Sequence, residues 1–181
     1  MRVITGSARG RKLTAPQGLS TRPTADMIKE AIFNSIQFET EQARVLDLFA
    51  GSGQLGIEAL SRGAAFCIFV DSSRECQNII KQNVAATGLA QKARIAAMDA
   101  FAFLQSTNEQ FDIVLLDPPY EQGLVVKALP LVAQKMNDGG VIFCETDRRE
   151  DLPETAGDFV KFRERRHGKI KLTSYRKGEV L

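Results

Sequence analysis

Four consecutive residues, Asp117-Pro118-Pro119-Tyr120, stand directly after the apolar run Phe111–Leu116. Two successive prolines set the backbone and withhold two N–H donors, which leaves a loop rich in carbonyl acceptors. Asp117 adds a carboxylate and Tyr120 an aromatic face. Such an array suits an exocyclic amino group on a planar base, whose lone pair is delocalised into the ring and is a poor nucleophile. Hydrogen bonds from its N–H groups to Asp117 and to the Pro118 carbonyl favour a more pyramidal nitrogen, and Tyr120 can stack on the base. Catalysis would then be largely positioning. The proton can leave once the nitrogen has been alkylated, so no strong base is required, and the only histidine, His167, is not needed. Taken alone, Pro-Pro also simply terminates a strand.

Three further acids follow apolar runs in the same way. Asp47 opens Asp47-Leu48-Phe49-Ala50-Gly51-Ser52-Gly53-Gln54-Leu55-Gly56, where Gly51 and Gly53 let the backbone turn tightly against a ligand. Asp71-Ser72 ends the next apolar run, about twenty residues on, where an acid can accept both hydroxyls of a ribose. Asp99-Ala100-Phe101 supplies a carboxylate and backbone N–H groups for an adenine edge, with Phe101 as an apolar wall. Gly51-x-Gly53-x-x-Gly56 also fits the dinucleotide fingerprint, so NAD competes as cofactor. Asp47 weighs against it, because a carboxylate four residues before the loop would repel a pyrophosphate at the helix N-terminus. It suits a ligand with a cationic amino group and no phosphate, which S-adenosylmethionine is. Asp47 can steer the methionine end directly or through water while Asp71 holds the ribose. The competing reading of Asp47 is a strand-end cap, and Asp99 also reads as a helix N-cap.

These acids need a scaffold that brings strand ends together. After residue 43 the pattern repeats strand then helix. Strand candidates are 44–48, 65–70, 93–97, 111–116 and 140–144, and amphipathic helical stretches lie near 54–62, 73–87, 100–106 and 123–136. Near-continuous apolar strands separated by helices predict a doubly wound, mostly parallel α/β sheet, in which ligands bind outside the carboxyl ends of the strands. Before it, Arg2–Thr5 and Gly10–Leu13 read as a hairpin. Thr24 reads as the cap of a helix with Asp26 in its first turn and Met27, Ile28, Ala31, Ile32, Ser35 and Ile36 on its apolar face. After it, 159–166 and 169–176 alternate around His167-Gly168 and predict an antiparallel closing pair. The expected organisation is one domain over residues 1–181: a hairpin and helix extension over 1–43 and a catalytic core over 44–181.

The net charge of +2 conceals a segregation. Residues 1–25 hold Arg2, Arg9, Arg11, Lys12 and Arg22 and no acid. Residues 161–181 hold Lys161, Arg163, Arg165, Arg166, Lys169, Lys171, Arg176 and Lys177 against Glu164 and Glu179. The two ends thus carry +11 and residues 26–160 carry −9. A basic surface built from both ends suits a polyanion, with Arg9, Arg11, Lys12, Arg163, Arg165 and Arg166 as its contacts. Cys67, Cys76 and Cys144 form no C-x-x-C pair, which argues against a disulfide framework or a zinc site, and Cys67 and Cys144 read as core. With no apolar run long enough to span a bilayer and no signal-peptide pattern, the expectation is a cytoplasmic protein; no oligomerisation stripe is visible, and a monomer is expected.

Taken together, Asp47-x-Phe49-x-Gly51-x-Gly53, Asp71, Asp99-Ala100 and Asp117-Pro118-Pro119-Tyr120 resemble the motifs of class I S-adenosylmethionine-dependent methyltransferases acting on amino groups, with their Rossmann-like sheet. The flanks narrow this. Gly6-x-x-Arg9-Gly10-Arg11-Lys12-Leu13, Arg22-Pro23-Thr24-x-Asp26-x-x-Lys29-Glu30-Ala31-Ile32-Phe33-Asn34 and Leu55-Gly56-Ile57-Glu58-Ala59-Leu60-Ser61-Arg62-Gly63-Ala64 are similar to the bacterial RsmD family. The resemblance implies methylation of N2 of one guanine in 16S ribosomal RNA, presented by a small-subunit particle or a late assembly intermediate. It also implies that Arg22 reaches the target phosphate or base. Gln54 stands where the family more often has a small residue, and His167 where it has tyrosine. Asp-Pro-Pro-Tyr itself does not separate guanine N2 from adenine N6 or a protein glutamine amide. The basic ends and the lack of a separate target-recognition domain favour RNA.

Overall fold

The computed structural model describes residues 1–18, 23–120 and 123–179, without the side chains of Pro23 and Thr24. Arg22 lies outside the described residues. Alternation of apolar strands and amphipathic helices produces α1 (Pro23–Ser35), β1 (Arg44–Leu48), α2 (Gln54–Ser61), β2 (Phe66–Val70), α3 (Arg74–Ala86), β3 (Ala93–Ala96), α4 (Ala100–Ser106), β4 (Phe111–Leu116), α5 (Leu124–Ala133) and β5 (Met136–Asp147). Three closing strands follow: β6 (Thr155–Ala156), β7 (Phe159–His167) and β8 (Ile170–Lys177).

All eight strands form one sheet in the order β3-β2-β1-β4-β5-β8-β7-β6. The first five are parallel, β8 runs antiparallel to β5, and β7 antiparallel to β8. The chain winds outward from β1 on both sides, so the order reverses between β1 and β4. That is where a doubly wound sheet opens a crevice for ligand.

Side chains alternate across the sheet with the period of the pleat. Val45, Ile113, Leu115, Val141 and Phe143 face α1, α2 and α3, where they pack with Ile28, Ile32, Phe33, Ile57 and Ile80. Leu46, Leu48, Val114, Leu116, Ile142 and Cys144 face α4 and α5, against Phe103, Leu104, Val125 and Leu129. Both faces are covered, which explains the near-continuous apolar runs. Cys67 and Cys144 are buried and all three cysteines are free, as the spacing predicts.

Four boundaries differ from the sequence expectation. The N-terminal hairpin is real but makes a single antiparallel bridge, Arg2 with Lys12, rather than two strands. The reason is that the Ile4 and Thr5 amides donate to the Glu58 carboxylate of α2 at 2.9 and 3.1 Å, so they are not free for a ladder. Helix α1 starts at Pro23, so Thr24 lies inside its first turn rather than at its cap; a proline at the first helical position is favoured because its missing N–H would be unpaired there anyway. Helix α5 stops at Ala133 and β5 begins at Met136, earlier than 140, with its register broken between Phe111 and Ile113. In β7 the pairing with β8 slips between Lys161 and Arg163, a bulge that strict alternation does not reveal. Among the described residues, no helix is long and apolar enough to cross a membrane.

Candidate active site

The loop after β1 turns sharply at the sheet's carboxyl edge. Phe49, Gly51 and Gly53 all have positive φ (62°, 59° and 77°). Glycine takes that conformation without strain; for Phe49 it costs on the order of 1 kcal/mol. The Phe49 ring meets Phe101 edge-on, with centroids 6.4 Å apart, so two loops share one apolar wall. Ala50 N–H donates to the Val70 carbonyl at 3.0 Å, which ties the loop to β2.

The three acids of the sequence reading each hold backbone as well as facing the crevice. Asp47 is buried, and its Oδ2 accepts the Gly56 N–H of α2 at 2.9 Å, so the cap-like role is real. Burial pushes its carboxyl up to about 8, against the Gly56 bond that lowers it and with the Asp71 charge raising it further. A carboxyl so placed is neutral near neutral pH when alone and ionises when a cation approaches. Asp71 accepts Gly51 N–H on Oδ2 and Ser73 N–H on Oδ1, both at 2.9 Å. A carboxylate offers about four lone-pair sites, so two remain for hydroxyl donors. Ser72, beside it, is exposed. Asp99 is the N-cap of α4, with Oδ1 accepting from Phe101 and Ala102 N–H at 2.9 and 3.0 Å, while Ala100 is buried in the first turn.

Asp117 and the sequence-missed residue Glu145 form the other half of the crevice. Leu116 pairs with Cys144 in parallel register, so the next residues, Asp117 and Glu145, stand side by side where the β4–β5 pairing ends. Both continue the face that carries Asp47. Burial drives the Asp117 carboxyl well above its usual range, and the negative charges of Glu145 and then Asp47 add to it. Burial also raises Glu145, partly offset by a 2.6 Å hydrogen bond donated by the Tyr120 hydroxyl to Oε1. Pro118 is buried; Pro119 and Tyr120 are exposed. The bond to Glu145 gives the exposed Tyr120 ring a fixed tether. The signal for Glu145 was available: the rule that ligands meet strand carboxyl ends, applied to the fifth strand, points one residue past Cys144.

The remaining expected site residues are spread over the surface. Arg9, Arg11 and Lys12 are exposed on the N-terminal hairpin, and Arg163, Arg165 and Arg166 on β7. None of these six carries an ion pair among the described residues. His167 ends β7, and its Nε2 is buried without a hydrogen-bond partner among the described residues.

A row of carboxyl groups, a glycine loop and an Asp-Pro-Pro-Tyr corner at the switch point of such a sheet can hold a nucleoside with a cationic tail beside an amine. The family described as Conserved hypothetical protein 95 matches residues 1–176. YlbH of Bacillus subtilis is 43% identical over 98% of this chain and 99% of its own length. Ribosomal RNA small subunit methyltransferase D of Escherichia coli K12 is 34% identical over 98% of this chain and 90% of its own. The solved structure of yhhF from Escherichia coli superposes with a TM-score of 0.88 at 35% identity, covering 98% of this chain and 97% of that one. The chain belongs to the RsmD family of S-adenosylmethionine-dependent ribosomal RNA methyltransferases, with the class I methyltransferase fold.

Proposed function

We propose that the chain, acting as one monomeric domain over residues 1–181, methylates the exocyclic N2 of a guanine in 16S ribosomal RNA within the small subunit or an assembly intermediate. The observation that carries this reading is the paired strand ends of β4 and β5, where Asp117 and the Tyr120-tethered Glu145 flank the acceptor-rich Pro118-Pro119 corner.

The residues present suit S-adenosylmethionine. Asp71 keeps acceptors for two ribose hydroxyls. Asp99 Oδ2 and the Phe49–Phe101 wall suit an adenine amino group and ring. At the methionine end, Asp47 is an acid that a neighbouring ammonium would ionise, and Gln54 Oε1 is a buried acceptor without a partner among the described residues. Ser72 and the backbone at Ala50, Gly51 and Gly53 line the same loop edges. When bound, this cofactor supplies an electrophilic methyl group. NAD brings no ammonium for Asp47 and the Gln54 Oε1 to accept, which disfavours it.

The chain's own part is positioning. Ionised Asp117 and the Pro118 carbonyl accept the two N–H groups of the amine and direct its lone pair. The Tyr120 ring stacks on the base, held by its bond to Glu145. After transfer the nitrogen is acidic, and the carboxylates of Asp117 and Glu145 lie at hand for its proton. Arg22 and the basic residues of both chain ends supply phosphate contacts.

Labelled methyl transfer onto small subunits from a strain lacking the gene, with mapping of the modified nucleoside, tests the reading. N2-methylguanosine is expected; a methylated adenine or a labelled protein would overturn it. In the same assay Asp117→Ala is expected to abolish transfer while cofactor affinity stays near wild type. Transfer by this variant at near wild-type rate would remove Asp117 from its role.

A further inference from the structure

A groove lies along the closing strands, beginning at the Leu172–Arg165 row that also carries Glu145, and nothing in the reading above uses its exposed aromatic residue. Phe162 on β7 is 58% exposed, a large aromatic side chain between the cations Lys161 and Arg163. The bulge explains its direction. Lys161 pairs with Tyr175 and Arg163 with Ser174, so Phe162 is an extra residue with no partner on β8. A bulge of this kind sends two successive side chains to one face. Phe162 and Arg163 both line the groove, with Arg165, Arg176, Phe143 and Leu172, and its far wall is Ala31 and Ser35 of α1. The groove holds about 330 Å³.

Register places this groove against the active site. Glu145 pairs with Leu172, and Leu172 with Arg165, so Arg165 lies in the same transverse row as Glu145, two strand spacings away, about 10 Å. The next rows down are Phe143, Ser174 and Arg163, then Val141, Arg176 and Val160. The groove therefore shares a face with Asp117 and Glu145 and leads away from them for roughly 13 Å of strand.

Its charge is one-sided. Glu164, the acid of this strand, lies 3.8 Å from both Lys161 and Lys171, so its charge is matched by lysines outside the groove lining. Arg163 and Arg165 have no ion pair among the described residues. Arg176 is clamped by both oxygens of Glu39 at 3.0 and 2.8 Å. Its guanidinium carbon lies 5.5 Å from the Phe162 ring centre, and that of Arg163 lies 5.6 Å away. An exposed ring flanked by guanidinium planes over an apolar floor is the platform on which single-stranded bases stack, with free arginines for the adjoining phosphates.

We infer that the groove between α1 and the β7–β8 pair binds a nucleotide flanking the target guanine, with its base stacked on Phe162 and its phosphates on Arg163 and Arg165. The inference rests on the reading that the substrate is ribosomal RNA. It gives the enzyme a second base contact, one that would fix which segment of single-stranded RNA enters the site.

The chain contains no tryptophan, so Phe162→Trp installs a single indole reporter on an exposed site. Poly(U) is expected to quench its emission, whereas polyphosphate, a polyanion without bases, is expected to leave it unchanged. Phe162→Ala is expected to raise KM for small subunits roughly 5- to 150-fold, the range for losing one base–aromatic stack, with the loss in KM rather than kcat and with unchanged cofactor affinity. No quenching by poly(U), or an unchanged KM, overturns the inference. A raised KM without quenching also overturns it, and shows that the face docks a ribosomal protein instead. Failure of the wild-type chain to label ribosomal RNA would overturn the underlying reading, while the quenching titration, which needs no turnover, still reports on the groove.

Discussion

Glu145 changes the chemistry expected of Asp117. Two carboxyl groups side by side at buried strand ends cannot both ionise at the ordinary carboxylate pKa, because each opposes the charge of the other. In the proposed role Asp117 is ionised when it accepts the amine N–H groups, so activity is expected to fall as pH drops through the raised Asp117 value. Glu145→Gln removes the second cause of that elevation and leaves the first, burial. The kcat inflection is therefore expected to move to lower pH in this variant, towards but not reaching the usual aspartate range. Profiles of kcat against pH at saturating substrates for both proteins check this, and an unmoved inflection would mean that Glu145 does not act on Asp117. Asp117 was legible from its motif, since an acid before Pro-Pro after an apolar run is conspicuous in any sequence. Glu145 was legible only as an acid one residue past the fifth apolar run; that it stands beside Asp117 depends on which strand lies beside β4.

Among the elements, the N-terminal hairpin is held by contacts its own sequence does not announce. The α2 side chains Glu58 and Ser61 take the Ile4, Thr5 and Ala8 amides and the Thr5 carbonyl, and Asn83 of α3 holds both Thr14 and the Ser52 carbonyl of the glycine loop. Through Asn83 the segment after the hairpin is tied to the glycine loop. Gly6 makes the close approach possible: with φ at 93°, a Cβ there would lie 1.8 Å from the Ser61 carbonyl oxygen. Gly6→Ala is expected to destabilise the fold by about 2–3 kcal/mol through that clash and the lost Ser7–Ser61 bond. Gly10→Ala, also at positive φ but facing open space, is expected to cost only about 1 kcal/mol. Urea unfolding of the two variants checks the difference; equal losses would place the cost in backbone conformation alone. Helices α2, α3 and α4 were readable to within a residue or so, because each has strong periodicity and a local stop or cap. The α5–β5 boundary was misplaced because Met136–Gly140 owes its strand pairing to β4.

Over the whole molecule the charge segregation becomes a directed field. Acids of the central segment line the crevice and also a cleft at the opposite strand ends, formed by Glu39, Glu41, Asp112 and Asp138. Among the described residues, the cations without an ion pair include Arg9, Arg11 and Lys12 on the hairpin and Arg163, Arg165 and Arg166 on β7. A polyanion is thereby drawn along the basic surfaces. Replacing Arg9, Arg11 and Lys12 with glutamine is expected to weaken binding to small subunits and to reduce the slope of log K against log salt by about 2–3, one counterion contribution per lost contact. A salt titration of the triple variant measures this, and an unchanged slope would remove the hairpin from the RNA interface.

The sequence by itself determined the doubly wound sheet, the glycine loop, the four acids after successive strands and the basic ends. Each of these is carried by local periodicity or by residues a few positions apart. Asp117-Pro118-Pro119-Tyr120 belongs to this class, since its acceptor character follows from covalent structure alone. Only the tertiary structure decided that Glu145 joins Asp117, that Glu58 takes the hairpin's backbone, and that a bulge aims Phe162 into the groove beside Arg163. Those are matters of strand neighbours and register, set by contacts between residues tens of positions apart. A one-residue slip in register sends a side chain to the other face, and no local pattern reports it.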